Sequence, residues 1–294
     1  MKPISLPLIR ATLLGASFAA SAAAQTLREA EVPAPSEPVV VLSPFVVERT
    51  RDTGYQATTT LAGTRLNTPI ADLGASISIY TKDLLDDLGA TNANDILIFA
   101  TGMESAGPGG NYSGVTNDIN ATSLATREGP RFDPQQSSRT RGLASPNFSR
   151  DLFSTRIAFD SYNTDRVTVN RGPNAILFGV GSPAGVVDTS LLRPDLNRNQ
   201  NKVETRYGNN DSQRASIDLN RVLIRQKLGI RLAALADDER HNQRPAFEDK
   251  RRLYGAIAYE PFKSTALRAN FETGHTRASR PISVLPLNST EPWT

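Results

Sequence analysis

The sequence predicts an α+β domain, a small sheet with short helices, followed by antiparallel strands that alternate in the manner of a barrel wall. Three observations carry this. Residues 75–104 and 165–170 alternate between strand-like runs and short helical runs. Residues 171–185 then break the chain with a turn and three closely spaced glycines. From residue 195 onward the chain becomes a succession of short alternating strands separated by polar turns.

The start of the chain fixes the compartment. Lys2 and Arg10 precede an apolar run over residues 11–20, and Ala22, Ala23 and Ala24 before Gln25 supply the small-residue cleavage site of a secretory signal peptide, residues 1–24. That run is about half the roughly twenty residues a membrane-spanning helix needs. Cysteine is absent, which removes a lipid-attachment cysteine, a disulfide framework and zinc–cysteine sites. Lys2 and Arg10 leave with the signal, so the formal charge of +3 falls to about +1. No basic stripe interleaved with aromatics is present, and no nucleic-acid partner is expected.

Residues 25–58 read as a linker. Pro33, Pro35 and Pro38 keep it extended. It ends in a β-branched run over residues 39–47, which either adds a strand to the edge of a partner's sheet or forms an ordinary edge strand of the folded domain.

The following domain can be read piece by piece. Residues 75–80 alternate as a half-buried strand. Residues 81–90 read as a short helix, with Thr81 as N-cap and Gly89 as terminator. A second short helix over 94–99 runs into a strand at 101–104. Residues 106–139 turn polar and glycine-rich, and a segment this long and irregular is either functional or an insertion. Within it Tyr112, Arg131 and Phe132 are the candidate ligand contacts, since aromatic and guanidinium groups stack and pair at low ordering cost; the alternative is a solvated loop. Asp160 and Ser161 must then make a turn before the strand at 165–170. Arg171-Gly172-Pro173 ends that strand with one residue free to take positive φ and one locked near −65°. Gly179, Gly181 and Gly185 follow. They approximate a dinucleotide-binding loop, but the third glycine is one position late and Pro183 sits where the helix should begin, so that reading is set aside.

Taken together, Arg141-Gly142, Arg171-Gly172-Pro173 and the glycines at 179, 181 and 185 resemble the plug domain of TonB-dependent outer-membrane receptors. The likeness runs through residues 63–194 in order, spacing and turn chemistry. It departs at Thr101, where proline is usual, at Asp160-Ser161 in place of an Asp-Gly turn, at Ala184-Gly185 in place of a double glycine, and at 186–189.

The resemblance implies a plug with a small mixed sheet at 59–194 and the first strands of an antiparallel transmembrane β-barrel at 195–294. It makes residues 25–58 a periplasmic linker carrying a TonB box at Val39, Val40, Val41, Leu42, Ser43, Pro44 and Phe45, with TonB as partner by strand addition. It implies an outer-membrane location, a small-molecule ligand such as a siderophore complex at the extracellular face, and no resident cofactor or metal. It also gives Arg141 and Arg171 barrel-wall carboxylates as partners. A transducing receptor with an added N-terminal domain is not expected, because only about fourteen residues separate Gln25 from Val39. The rival reading is a surface or periplasmic binding module that uses a plug-like domain without transport.

Strands are expected at 202–207, 215–220, 228–235, 253–259 and 266–271. Ile217, Leu219, Ile230, Leu232, Ile257, Tyr259, Leu267 and Phe271 fall on one face; Asp218, Arg231, Arg268 and Glu272 fall on the other. This is the weak pattern of an outer-membrane barrel, and a soluble antiparallel sheet with one wet face shares it. The resembled barrel closes with about twenty-two strands, and an open sheet in lipid leaves edge groups unpaired. The chain is therefore expected to be truncated, the front part of a longer product. No enzyme is expected. His241 and His275 are lone histidines in loop-like sequence, and Asp83, Asp86 and Asp87 read as a solvated helix face.

Overall fold

The computed structural model describes residues 52, 54–62, 66–106, 110–111, 132–173, 182–262 and 264–281. The TonB-box candidates from Val39 to Phe45, Tyr112, Arg131, Gly179 and Gly181 lie outside these residues.

In chain order, β1 (Thr59–Thr60) pairs with β2 (Thr68–Pro69). Strand β3 (Ser76–Thr81) leads into α1 (Lys82–Asp87) and α2 (Asn94–Leu97), and β4 (Met103–Glu104) pairs with β5 (Arg139–Thr140). Strands β6 (Asn147–Arg150), β7 (Phe153–Ser154), β8 (Thr164–Arg171) and β9 (Gly185–Leu191) join β3 in one five-stranded sheet of order β3-β8-β9-β6-β7. The β6–β9 pair is parallel and the rest are antiparallel, so the sheet is mixed as expected.

Local chemistry explains the helices. The Thr81 hydroxyl accepts from the Leu84 N–H, and Gly89 at φ +65° turns the chain out of α1. The helix is shorter than residues 81–90 because Ala90 N–H already bonds the Leu85 carbonyl in a wider closing turn. The Asp95 carboxylate accepts from the Thr91 and Asn92 N–H groups and fixes the turn before α2. Leu85, Ile96, Leu97, Phe148, Phe159, Val167, Val169 and Val187 form the buried core between helices and sheet. Asp160 makes its turn by accepting from the Tyr162 N–H at 3.0 Å.

Gly185 admits no other residue. It sits at φ +113°, and a Cβ there would lie 2.1 Å from the Asn170 carbonyl oxygen, inside the β8–β9 hairpin that the motif closes.

The second half is an antiparallel meander: β10 (Gln200–Tyr207), β11 (Gln213–Ile224), β12 (Leu228–Arg240), β13 (Phe247–Phe262) and β14 (Thr265–Ser279). Its strands outrun the expected spans because main-chain pairing continues through charged residues such as Asp237 and Lys250, whose side chains alone do not read as strand. The register puts Ile217, Leu219, Ile230, Leu232, Ile257, Tyr259, Leu267 and Phe271 on one face, and Asp218, Arg231, Arg268 and Glu272 on the other. The outer rows Leu219–Leu232–Gly255–Phe271 and Arg221–Ile230–Ile257–Ala269 give way toward one end to Ala215–Ala236–Arg251–His275 and Gln213–Asp238–Asp249–Arg277. His275 thus belongs to β14, opposite Arg251, and not to a loop, because the ladder extends past the last apolar residue. The connection 225–227 at the apolar end is tight, while 208–212 and 241–246 at the other end are longer.

Candidate functional site: the seam between plug and strands

The inner face of the meander meets the first domain along a seam with an apolar centre and an ionic surround. The centre is Tyr162, Leu191, Leu192, Ala233, Leu235 and Tyr254, all buried, and the Tyr254 hydroxyl donates to the Leu192 carbonyl at 2.7 Å. The turn 161–163 and the end of β9 therefore carry the contact, and strands β12 and β13 receive it.

Around this centre, charges on alternate strand positions reach specific groups. Glu272 accepts from Arg150 of β6, from Arg252 at 2.6 Å and from the Tyr162 hydroxyl at 2.8 Å. Arg252 lies 5.4 Å over the Tyr162 ring. Burial, then the neighbouring Glu272 carboxylate, push the Tyr162 hydroxyl above the usual tyrosine range. A Cβ at position 274 would lie 2.8 Å from the Arg252 Cγ, so Gly274 leaves the arginine stem room to lie flat across β14. Arg214 bridges Asp160 at 2.5 Å and Asp237 at 2.8 Å, all three buried.

A third contact uses α1. Lys82 pairs with Asp86 at 2.7 Å and donates to the Ser161 carbonyl, while Lys202 of β10 reaches the same Asp86 at 2.7 Å. Burial lowers the Lys82 pKa against the pull of Asp86. Burial opposes the Asp86 charge too, but the two lysines outweigh it and hold the carboxyl below its usual range. The expectation of a solvated aspartate face is corrected here: Asp86 is a contact to the strands, because β10 packs across the side of the helix that carries it.

The predicted motif residues divide. Gly142, Gly172 and Gly185 all adopt positive φ. Arg171 donates to the Thr101 carbonyl at 2.5 Å and to the Ser78 hydroxyl at 3.0 Å, and the Arg141 N–H bonds the Gly102 carbonyl at 2.7 Å. Among the described residues neither arginine meets a strand carboxylate. Arg150 takes that role, since β6 lies next to β9 and points its side chain at β14. Pro173 follows the turn on the surface. The ion pairs of Arg150 with Glu272 and of Asp160 with Arg214 escape sequence reasoning because the partners lie 122 and 54 residues away.

Phe132 is exposed, and its carbonyl accepts from Arg280 at 3.0 Å. It borders a cleft of about 270 Å³ between plug and strands, walled by Gln135, Arg156 and Phe159 on one side and His241, Lys250, Arg252 and Arg280 on the other. Lys250 and Arg280 share Glu248, whereas Arg156 has no carboxylate partner among the described residues. His241 is largely covered and its Nδ1 lies 3.9 Å from Glu239, which corrects the reading of a solvated loop histidine. No cluster of three His, Asp or Glu side chains in metal-binding reach occurs among the described residues.

A plug seated on the inner face of barrel-like strands defines a class of outer-membrane receptor, and comparison with known proteins agrees. Residues 69–186 match the TonB-dependent receptor plug domain. The chain is 26% identical over 232 residues to the ferrioxamine receptor of Yersinia enterocolitica, covering 74% of this chain and 29% of that protein. It is 28% identical over 193 residues to a metal-pseudopaline receptor of Pseudomonas aeruginosa, covering 65% of this chain and 25% of that protein. Among solved structures it is similar in fold to the ferripyoverdine receptor of the Pseudomonas aeruginosa outer membrane bound to ferripyoverdine, with TM-score 0.63, 20% identity and coverage of 76% of this chain and 28% of that one. The alcaligin outer-membrane receptor of Bordetella pertussis gives TM-score 0.60 at 21% identity, with coverage of 76% and 36%. Residues 69–186 thus match the TonB-dependent receptor plug, and the strands after them share the fold of the solved outer-membrane receptors. The chain spans less than a third of the length of the curated relatives it matches.

Proposed function

We propose that this chain is the gating front end of a receptor that takes up a metal chelate of the siderophore class across the outer membrane, driven by TonB. The observation that carries the reading is the seam itself: a plug held by a small apolar centre and a surround of polar bonds to the inner face of strands whose outer face is apolar. The apolar centre is six buried side chains, and the ion pairs and hydrogen bonds around it can exchange for water once water enters, so a plug seated this way can be rearranged by a pulling partner. Longer connections at 208–212 and 241–246 against the tight turn at 225–227 favour the former as the extracellular end. The cleft lined by Phe132, Arg156 and Lys250 then faces outward and receives the ligand. Residues Val39, Val40, Val41, Leu42, Ser43, Pro44 and Phe45 are the segment offered to TonB by strand addition from the periplasmic side, after cleavage of the signal near Gln25. Relatives named for ferrioxamine and metal-pseudopaline support a chelated metal as cargo.

The test is uptake of radiolabelled ferric and nickel chelates by cells expressing the full-length receptor with and without residues 39–45. We expect at least one chelate to be accumulated by the intact receptor, and the deletion to retain surface binding while losing accumulation. Accumulation unchanged by the deletion points to a binding module that needs no TonB, and overturns the proposal.

A further inference from the structure

We propose that Arg240 and Arg277, held against the ring of Phe247 on the outer face of the strands, form a docking site for the phosphate of an outer-leaflet lipid. Outer positions carry no charge from Leu253 to Tyr259 on β13 and from Leu267 to Thr273 on β14. From Leu253 to the end of β13 at Phe262 is about 30 Å along the strand and, at a tilt of about 40°, about 23 Å across a membrane, which matches the roughly 25 Å apolar band of an outer-membrane barrel. Charges begin on the outer face only beyond that band. The rows that hold Arg251, Asp249 and Phe247 therefore stand at the level of the lipid headgroups.

At that level three guanidiniums, Arg240, Arg251 and Arg277, face two carboxylates, Asp238 and Asp249. Arg251 is fully engaged: its Nη2 lies 2.8 and 2.9 Å from the two Asp238 oxygens, and its Nη1 donates to the Asp237 and Lys250 carbonyls. Arg240 commits only Nη1, to Asp249 at 2.5 Å and to the Glu239 carbonyl at 2.9 Å. Arg277 stands opposite Asp249 in the ladder, yet that carboxylate is on Arg240, and Arg277 has no carboxylate partner among the described residues. Instead both guanidiniums lie 5.6 Å from the centre of the Phe247 ring. One aromatic side chain thus gathers two like charges, which repel unless an anion joins them. The donors left over, the Arg277 fork and the Arg240 Nη2, suit the oxygens of a phosphate.

Position selects the occupant. The apolar face runs directly up to the site, so a lipid whose acyl chains lie along Leu253, Ile257 and Phe271 brings its phosphate to Arg277, and a free phosphate gains nothing from that face. The site is at the end with the longer connections, which the function proposed above makes extracellular. Only the choice of leaflet rests on that reading.

The test is native mass spectrometry of the delipidated full-length receptor titrated with bis-phosphorylated lipid A, with the same lipid stripped of its phosphates, and with phosphatidylglycerol. Lipid A is expected to bind about fivefold or more tightly than its dephosphorylated form. Arg277→Gln should erase that ratio, and Arg277→Lys, which keeps the charge without the fork, should retain part of it. Arg221→Gln, on an outer position at the opposite end, should leave it unchanged. Equal binding of the two lipid A forms, a ratio untouched by Arg277→Gln, or one lost equally in Arg221→Gln overturns the site. A preference for phosphatidylglycerol over lipid A overturns the outer-leaflet assignment and the orientation with it. Uptake indifferent to deletion of residues 39–45, with the lipid ratio still dependent on Arg277, strikes the proposed function and leaves the lipid site standing.

Discussion

Asp188 sits inside β9, buried, accepting from the Ser149 hydroxyl and, at 2.8 Å, from the Leu152 N–H. Burial pushes its pKa up from 3.8 to about 6, against the help of those two donors. The folded plug therefore holds this proton more tightly than the unfolded chain. Its contribution to stability is full below pH 3.8 and is lost as pH rises through about 6, a loss of about 3 kcal/mol. Asp188→Asn keeps an acceptor for both donors and should flatten the stability curve between pH 4 and 6, as measured by calorimetry across that range. A wild-type plug whose transition rises over this interval contradicts the assignment. Glu272 is the second residue with an outsized role, because it pairs with two buried guanidiniums, Arg150 and Arg252, which have no other carboxylate partner among the described residues. Glu272→Gln should loosen the plug on the strands by roughly 3 kcal/mol. Earlier protease cleavage of the plug in an otherwise folded receptor is the expected readout.

At the scale of elements, most of the plug was legible because short-range chemistry decides it. The Thr81 cap, the Gly89 stop and the Asp160 turn each depend on residues within four positions. Thr81→Ala should cost about 1 kcal/mol through the lost cap, read as a lower thermal transition of the plug, and also removes the donor to the Gly54 carbonyl. Gly185→Ala should be far worse, about 3 kcal/mol or more, since the new Cβ meets the Asn170 carbonyl and the φ is strained. Loss of hydrogen-exchange protection at Val169 and Val187 will report it. What could not be read locally was the parallel β6–β9 pairing and the ends of β12–β14, where charged residues continue a ladder that side-chain pattern does not announce. For the same reason His275 reads as loop in the sequence and lies in a strand in the fold.

For the whole molecule the decisive distinction is between the two faces of the meander. The outer face is read from alternation alone, and it makes a prediction about lipid. Ile257→Arg, in a row with Ile230 and Ala269, should lower the folded fraction in the outer membrane by the equivalent of roughly 2–4 kcal/mol, whereas His275→Arg, in an already polar row, should leave it unchanged. Heat-modifiability on gels of the full-length receptor distinguishes the two. If both arginines are tolerated equally, the outer face does not meet lipid. The inner face is different in kind, because its charges are chosen by the plug they touch and not by the strand that bears them.

The sequence by itself determined the plug motif with its positive-φ glycines at 142, 172 and 185, and which side of each strand is apolar. Each of these is a property of residues a few positions apart, set by backbone sterics or by the two-residue period of a strand. Only the tertiary structure decided that, among the described residues, Arg150 and not Arg141 or Arg171 meets a strand carboxylate, that Asp86 is shared by Lys82 and Lys202, and that Asp52 pairs with Arg166. These pairs join residues 116 and 114 positions apart in the last two cases. A charge carries no mark of its partner along the chain; the partner is chosen when packing removes water from both.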